Sequence, residues 1–312
     1  MNLRTMTFYR AAKLVKAVST IKGAGKAARK LNELALWAGV DPIQIAQMRD
    51  GTLIRVDLRS RTEHWSFYSG TYDEKLVGLL VSLLNEWPGS FLDVGANIGM
   101  YAVRIAARTK EAHSFLCVEP NPSNAARIRE NALLNDVSEK IDVAQLALSD
   151  QDGTATLVLR EDFKRGASTG NASIAISEEA DEGFQSIRIQ TYRFDDYLAK
   201  EWRGEDFMCC KVDIEGHEDA FLRGSTDWLN RCRPVILTEI NNWYYEKRGV
   251  RSSDVFGQAL PEGYIVFRIE EGRGKARAVL QDSSELHKLS RLENCLLCPA
   301  EKAERCRLLI EK

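Results

Sequence analysis

The chain has 312 residues, 44% hydrophobic and 28% charged, and its 43 Lys+Arg against 45 Asp+Glu leave a formal charge of −2. That is the composition of a soluble globular protein, and 21 Gly with only 7 Pro exclude collagen-like and low-complexity chains. Residues 1–48 hold eight Lys/Arg against Glu33 and Asp41, about +6, so the rest carries about −8, which argues against nucleic acid as a partner.

Residues 8–21 predict a helix with Phe8, Ala11, Leu14, Val15, Val18 and Ile21 on one arc and Arg10, Lys13 and Lys16 opposite. Such a basic amphipathic helix either docks on the protein body or makes a peripheral contact with an anionic inner membrane face. The same basic residues interrupt the only stretch resembling a signal peptide, and no window of ~18 uninterrupted apolar residues predicts a membrane span. Seven scattered cysteines read as reduced thiols, which predicts a cytoplasmic protein. Cys295 and Cys298 fall on a predicted strand at an offset of three, on opposite faces, and adjacent Cys209 and Cys210 likewise alternate, so all four read as structural.

A second helical run ends near Gly39, and Asp41-Pro42 predicts an N-cap and first turn of a short third helix. Thr52 to Leu58 alternates and predicts a strand paired with His64 to Tyr68 in a hairpin; Asp73 to Asn85 has helical spacing. From Ser90 the pattern becomes strand (Phe91 to Val94), helix (Ile98 to Thr109), strand (Ser114 to Val118), helix (Ser123 to Asn135), strand (Ile141 to Leu146). Further strands at Phe207 to Val212, Val235 to Thr238, Gly263 to Ile269 and Asn294 to Cys298 complete an α/β fold, a mostly parallel sheet covered by helices on both faces. Between them, Thr154 to Arg160 and Ser186 to Gln190 predict an inserted antiparallel pair near 153–190, flanking a polar loop. The expected organisation is a basic helical extension over 1–48, a hairpin and helix over 49–89, and the main domain over 90–312.

Asp93-Val-Gly95-Ala-Asn97-Ile-Gly99 lies where a buried strand turns into a helix, and small residues there let the backbone approach a ligand. A nicotinamide fingerprint needs glycine at 95, 97 and 100, but Asn97 and Met100 fail it. An S-adenosylmethionine loop instead wants an acid two residues before the first glycine, which is Asp93. Glu119, at the end of the second strand, is placed to accept the ribose hydroxyls. At the end of the strand Phe207 to Val212, the run Lys211-Val-Asp213-Ile-Glu215-Gly-His217-Glu218 puts Asp213, Glu215 and His217 at the mouth of the sheet.

Phe91-Leu-Asp-Val-Gly-Ala-Asn-Ile-Gly99, Val118-Glu-Pro-Asn121, Ala147-Leu-Ser-Asp150 followed by Gly153, and Lys211-Val-Asp-Ile-Glu-Gly-His-Glu218 together resemble the FkbM family of S-adenosylmethionine-dependent methyltransferases, as does Gly70-Thr-Tyr-Asp-Glu74. The resemblance runs from about Thr52 to Pro299 and omits the basic segment. It implies a Rossmann-like methyltransferase fold with a seven-stranded sheet, and O-methylation of a glycan, glycolipid or related hydroxylated natural product.

For the donor, the resemblance implies Asp93, Gly95, Asn97 and Gly99 as the turn that holds it and Glu119 at its ribose. Ala147 and Leu148 would lie beside the adenine, with Tyr72 and Glu74 closing over the cofactor. Asp213, Glu215 and His217 would form the reaction centre, with His217 the expected proton acceptor, assisted by Glu215 or Asp213. Glu239, Asn241 and Trp243 face the same mouth as acceptor-binding residues, Trp243 beginning an aromatic wall with Tyr244 and Tyr245. A divalent metal on Asp213, Glu215, His217 and Glu239 is an alternative, unexpected because no compact metal motif is present. Small-molecule N-methylation and a donor-binding scaffold without turnover are the competing functions.

Overall fold

The computed structural model describes residues 3–109, 113–272, 275–290 and 292–312. Helices α1 (Leu3–Ala17) and α2 (Ala24–Trp37) precede a hairpin of β1 (Ile43–Gln47) and β2 (Leu53–Asp57), followed by α3 (His64–Ser69) and α4 (Glu74–Glu86). The body continues through β3 (Ser90–Val94), α5 (Ala102–Arg108), β4 (Phe115–Val118), α6 (Pro122–Leu134) and β5 (Ile141–Ala144). An insertion carries β6 (Ala147–Ser149), β7 (Gly153–Leu159), β8 (Ala172–Ile174) and β9 (Gln185–Arg193). The last strands are β10 (Phe207–Val212), β11 (Val235–Ile240), β12 (Tyr264–Glu271), β13 (Ala276–Gln281) and β14 (Glu293–Pro299).

The main sheet has the order β13-β12-β14-β11-β10-β3-β4-β5. Its β5, β4, β3, β10 and β11 are parallel neighbours, and β14 lies antiparallel between β11 and β12. This is the mostly parallel Rossmann-like arrangement expected, with eight strands among the described residues rather than seven. The extra one, β13, pairs antiparallel with β12 at the sheet edge, where none of its side chains is fully buried and its apolar periodicity is correspondingly weak. The insertion forms its own sheet, β6-β9-β7-β8, in which β7 and β9 are the expected antiparallel pair.

Strand parity divides the core into two layers. Phe91, Cys209, Leu237 and Cys298 face the side covered by α4 and α5, whereas Leu92, Cys210, Ile236 and Cys295 face the other. All seven cysteines are buried and unbridged. The second layer is anchored by Trp228, whose ring meets Phe194 edge-on at 5.1 Å and whose indole N–H donates to the Phe207 carbonyl.

Two N-terminal expectations are corrected. The segment after Asp41-Pro42 is strand β1, paired antiparallel with β2, rather than a third helix. Asp41 does cap locally, its Oδ1 accepting Ile43 N at 2.8 Å, but Gln44, Ala46 and Met48 are buried with a period of two while Ile45 faces solvent. His64 to Tyr68, expected as the partner strand, is the helix α3, closed by Gly70 at φ +67°.

The helical extension is docked on this hairpin region. Phe8 stacks on Phe67 at 5.7 Å, Tyr68 donates to Asn32 Oδ1, and Asn32 Nδ2 donates to the Leu58 carbonyl at 2.7 Å. The apolar arc predicted for the first helix is therefore split: Phe8 is buried and Ala11 and Val15 are half-buried, while Leu14, Val18 and Ile21 are exposed, and the second buried position is Ala12, outside the arc. No helix of the described residues is long and apolar enough to cross a membrane.

Truncating Phe8 removes the ring on which this docking turns. Phe8→Ala is expected to cost roughly 3 kcal/mol of docking free energy. Hydrogen exchange should then accelerate in α1 and α2 while β3, β4, β10 and β11 keep their protection; uniform protection would contradict the assignment.

Candidate active site

The turn after β3 is shaped by backbone conformations that side chains resist. Gly95 has φ +79°, and a Cβ there would lie 1.9 Å from the carbonyl oxygen of Asp213. Asn97 follows at φ +51° and Gly99 at φ +81°, so the chain cannot become helical until α5 starts at Ala102, later than periodicity predicted. Asp93 is 1% exposed; its Oδ2 accepts Ala102 N at 3.2 Å, and its Oδ1 has no hydrogen-bond partner. At the end of β4, Glu119 accepts Asn97 N through Oε2 and Asn121 N through Oε1, each at 2.9 Å. Burial pushes Asp93 up to about 6 and Glu119 to about 7, with Lys211 opposing the first shift and the backbone donors the second.

The loop after β10 faces this turn. Lys211 Nζ bonds Asp213 Oδ2 at 3.0 Å and lies 4.6 Å from the centre of the Tyr101 ring. Burial opposes its charge, but Asp213 and Asp93 outweigh burial and raise its pKa. Glu215 sits at φ +54°, and Gly216 at φ +90° passes so close to Tyr244 that a Cβ would lie 2.3 Å from the tyrosine Cβ. Glu218 fastens the loop from beneath, its Oε1 accepting Ile214 N at 3.1 Å and Gly216 N at 3.2 Å while Oε2 accepts the Tyr245 hydroxyl. Burial and the neighbouring Asp213 raise both Glu215 and Glu239. Burial instead lowers His217 to about 4, and its Nε2 is 3.0 Å from Ser149 Oγ.

Between the two loops lies a cavity of about 450 Å³, within the range of small-molecule sites. It brings together Tyr72, Asp93, Gly95, Asn97, Glu119, Ala147, Leu148, Asp213, Glu215, His217, Glu239 and Asn241. Three expected residues are not on its wall. Gly99 shapes the turn, its missing Cβ making room for Val103. Glu74 is held by Arg104 at 2.6 Å, and the same guanidinium bonds Asp50 and the Tyr72 carbonyl, so Glu74 positions Tyr72 rather than covering the cavity itself. Trp243 packs edge-on against Tyr244 at 4.9 Å, and Tyr244 is the ring that reaches the wall; Tyr245 is spent on Glu218. Among the described residues, no group of three or more His, Cys, Asp or Glu side chains is gathered closely enough to hold a metal ion.

The inserted loop contributes residues outside the signature motifs, from the polar stretch Ser168 to Ser173, whose sequence suits either a pocket wall or a solvated loop. Asp162 accepts Ser60 Oγ and Arg61 N, each at 2.8 Å, Asp57 accepts Ser168 N and Oγ, and Glu63 accepts Thr169 Oγ1. Asn124 bonds both the N–H and the carbonyl of Gly170. So clamped, the loop delivers Asn171 between the two halves of the site: its Oδ1 accepts Asn97 Nδ2 and its Nδ2 donates to Glu215 Oε1, both at 3.2 Å. Thr62, Asn124, Asn171 and Ser173 all line the cavity. The available signal was the density of Ser, Thr, Asn and Gly over residues 166–173, which reads equally well as a solvated loop.

The sequence profile of the methyltransferase FkbM domain matches residues 93–268, more than half of the chain. The 2-O-methyltransferase NoeI of Sinorhizobium fredii is 28% identical over 208 residues, which cover 62% of this chain and 81% of that protein. The hexuronic acid methyltransferase AglP of Haloferax volcanii is 25% identical over 212 residues, covering 68% and 81% respectively. The crystal structure of methyltransferase FkbM from Methylobacillus flagellatus superposes with a TM-score of 0.40 at 14% identity, covering 67% of this chain and 43% of that one.

The burial of His217 has a direct readout. Its imidazole should titrate near pH 4 by nuclear magnetic resonance, staying neutral at pH 6; a midpoint above 6 would contradict the packing around Ser149. Asp162→Ala strands the Ser60 Oγ, Arg61 N and Thr62 Oγ1 donors and is expected to cost about 2 to 3 kcal/mol in denaturant unfolding. The same variant should open residues 161–171 to protease, whereas an unchanged cleavage rate would mean that the loop is held by other means.

Proposed function

The chain belongs to the FkbM methyltransferase family, and on that premise we propose that it transfers the methyl group of S-adenosylmethionine to a hydroxyl of a glycan or related hydroxylated metabolite. The observation that carries this reading is the placement of carboxylates in one cavity. Asp93 and Glu119 line the end fed by β3 and β4, and Asp213, Glu215 and Glu239 line the end fed by β10 and β11.

The first group suits the donor. Asp93 Oδ1, buried and unpartnered, can accept an ammonium hydrogen, and Asn97 Oδ1 is likewise without a partner. A carboxylate offers about four lone-pair sites, so Glu119 keeps capacity for a ribose hydroxyl beyond its two backbone N–H donors. Ala147 and Leu148 supply an apolar wall for a base, and the open backbone at Gly95 allows close approach. S-adenosylmethionine would supply an electrophilic methyl group on positively charged sulfur.

The second group suits a hydroxyl acceptor. A carboxylate acceptor placed between Asp213, Glu215 and Glu239 would be repelled, since Lys211 is already engaged by Asp213. A hydroxyl instead brings a proton that must leave, and Glu239 and Glu215, raised by burial and by Asp213, are suited to take it. His217, neutral and bonded to Ser149, serves in this reading as a fixed wall of the cavity rather than as the base. Orientation of the acceptor oxygen is the larger effect, about 7 to 11 kcal/mol, against roughly 3 to 5 kcal/mol for proton removal. NoeI and AglP, named for 2-O-methylation and for hexuronic acid respectively, support a sugar-type acceptor.

Two measurements test the reading. A bound cation favours ionised carboxylates, so at pH 7 S-adenosylmethionine should release more protons than S-adenosylhomocysteine, by roughly half a proton or more, in calorimetry across buffers of different ionisation enthalpy. Equal release would remove the electrostatic basis of the donor assignment. With labelled donor and a panel of neutral and hexuronic-acid oligosaccharides, the transferred label should survive alkali as an ether, and Glu239→Gln should lower turnover about 10² to 10⁴-fold while S-adenosylhomocysteine still binds. Alkali-labile label would instead mean esterification of a carboxyl group.

A further inference from the structure

Among the described residues, half of the large hydrophobic side chains left exposed lie within residues 6–37: Met6, Leu14, Val18, Ile21, Leu34 and Trp37, the last 87% exposed. Their spacing puts them in rows. On α1, Arg10 and Leu14 are one turn apart and both exposed, so Arg10 borders the exposed part of the arc rather than lying opposite it, and Val18 and Ile21, at further offsets of four and three, are exposed in the turn after the helix. On α2, Lys26, Lys30, Leu34 and Trp37 repeat the same offsets, opposite the buried Ala24, Ala28 and Ala35. Both outward rows therefore combine aliphatic or indole groups with cations. The inward rows are already occupied by packing on α3 and by the Asn32 bond to Leu58.

Charge selects the occupant. Up to residue 40 the chain carries eight Lys/Arg against Glu33 alone, and Glu33 lies 4.0 Å from Arg29. A second copy presenting the same face would bring like charge against it. An anionic bilayer meets both demands, taking Leu14, Ile21, Leu34 and Trp37 at the acyl boundary and the lysines at the headgroups. We propose that the outward face of the α1–α2 pair docks the protein on an anionic lipid surface, with Trp37 and Leu34 as the inserted side chains. This docking is independent of the acceptor, and it uses residues outside the cavity.

The test uses the full chain with vesicles of phosphatidylcholine alone or mixed 3:1 with phosphatidylglycerol. Flotation should recover the protein with the mixed vesicles and much less with the neutral ones, and high salt should release it. Lys26→Glu with Lys30→Glu should weaken binding at least tenfold, since each basic residue near an anionic surface is worth about fivefold. Leu34→Glu with Trp37→Glu should abolish it, while S-adenosylhomocysteine affinity and melting temperature stay at their parent values, which separates loss of docking from misfolding. A blue shift of tryptophan emission on adding vesicles should vanish in Trp37→Phe. Equal recovery with both vesicle types, or vesicle binding that survives Leu34→Glu/Trp37→Glu, overturns the proposal. So does a concentration-dependent dimer in sedimentation that the same double variant dissolves while vesicles bind nothing, an outcome that would assign the face to self-association.

Discussion

The site rests on one steric fact: the backbones of two loops touch. Gly95, after β3, lies against the carbonyl of Asp213, after β10, with no room for a single carbon between them. Adjacent parallel strands make this approach unavoidable, since β3 and β10 are direct neighbours and Asp213 N continues the ladder onto the Val94 carbonyl at 3.0 Å. From that contact the rest follows. The turn before α5 must run through left-handed conformations at 95, 97 and 99, which leaves Asp93 buried with a free oxygen. The turn after β10 must likewise fold back through Glu215 and Gly216, which aims its carboxylates at the same space.

Burying so many acids in one place has a chemical consequence that no single residue carries. Lys211 balances Asp93 and Asp213, but Glu119, Glu215 and Glu239 remain to be satisfied by hydrogen bonds and by burial-raised pKa values. The site is thus electrostatically incomplete on its own and is suited to a positively charged guest. Asn171 ties the two halves together through Asn97 and Glu215, two non-glycine residues that both hold positive φ.

Much of this was legible in the amino-acid order because the relevant signals are local. Buried parallel strands such as Phe91 to Val94 and Phe207 to Val212 announce themselves as apolar runs, and Asp93, Glu119 and Asp213 sit at their ends. Cys209 and Cys210 take opposite layers by parity alone. What escaped is non-local. Asp41-Pro42 looks like a helix start because its cap is real, yet pairing with β2 decides the outcome. The contribution of Asn171 depends on Asp162 meeting Ser60, a contact spanning about a hundred residues that no periodicity encodes. Strand β13 escaped because an edge strand with no fully buried side chain carries little apolar alternation.

The hairpin β1–β2 has a further significance. Leu58 receives the helical extension, its carbonyl accepting from Asn32, while the neighbouring Asp57, Ser60 and Glu63 grip the loop that brings Asn171 to the cavity. A segment outside the matched residues 93–268 is therefore a structural wall of the site inside them. A chain trimmed to the matched residues would lose the grip on the loop that carries Asn171. Variation at Asp57, Ser60 or Glu63 can thus move the loop that carries Asn171 without altering Asp93, Glu119 or Asp213.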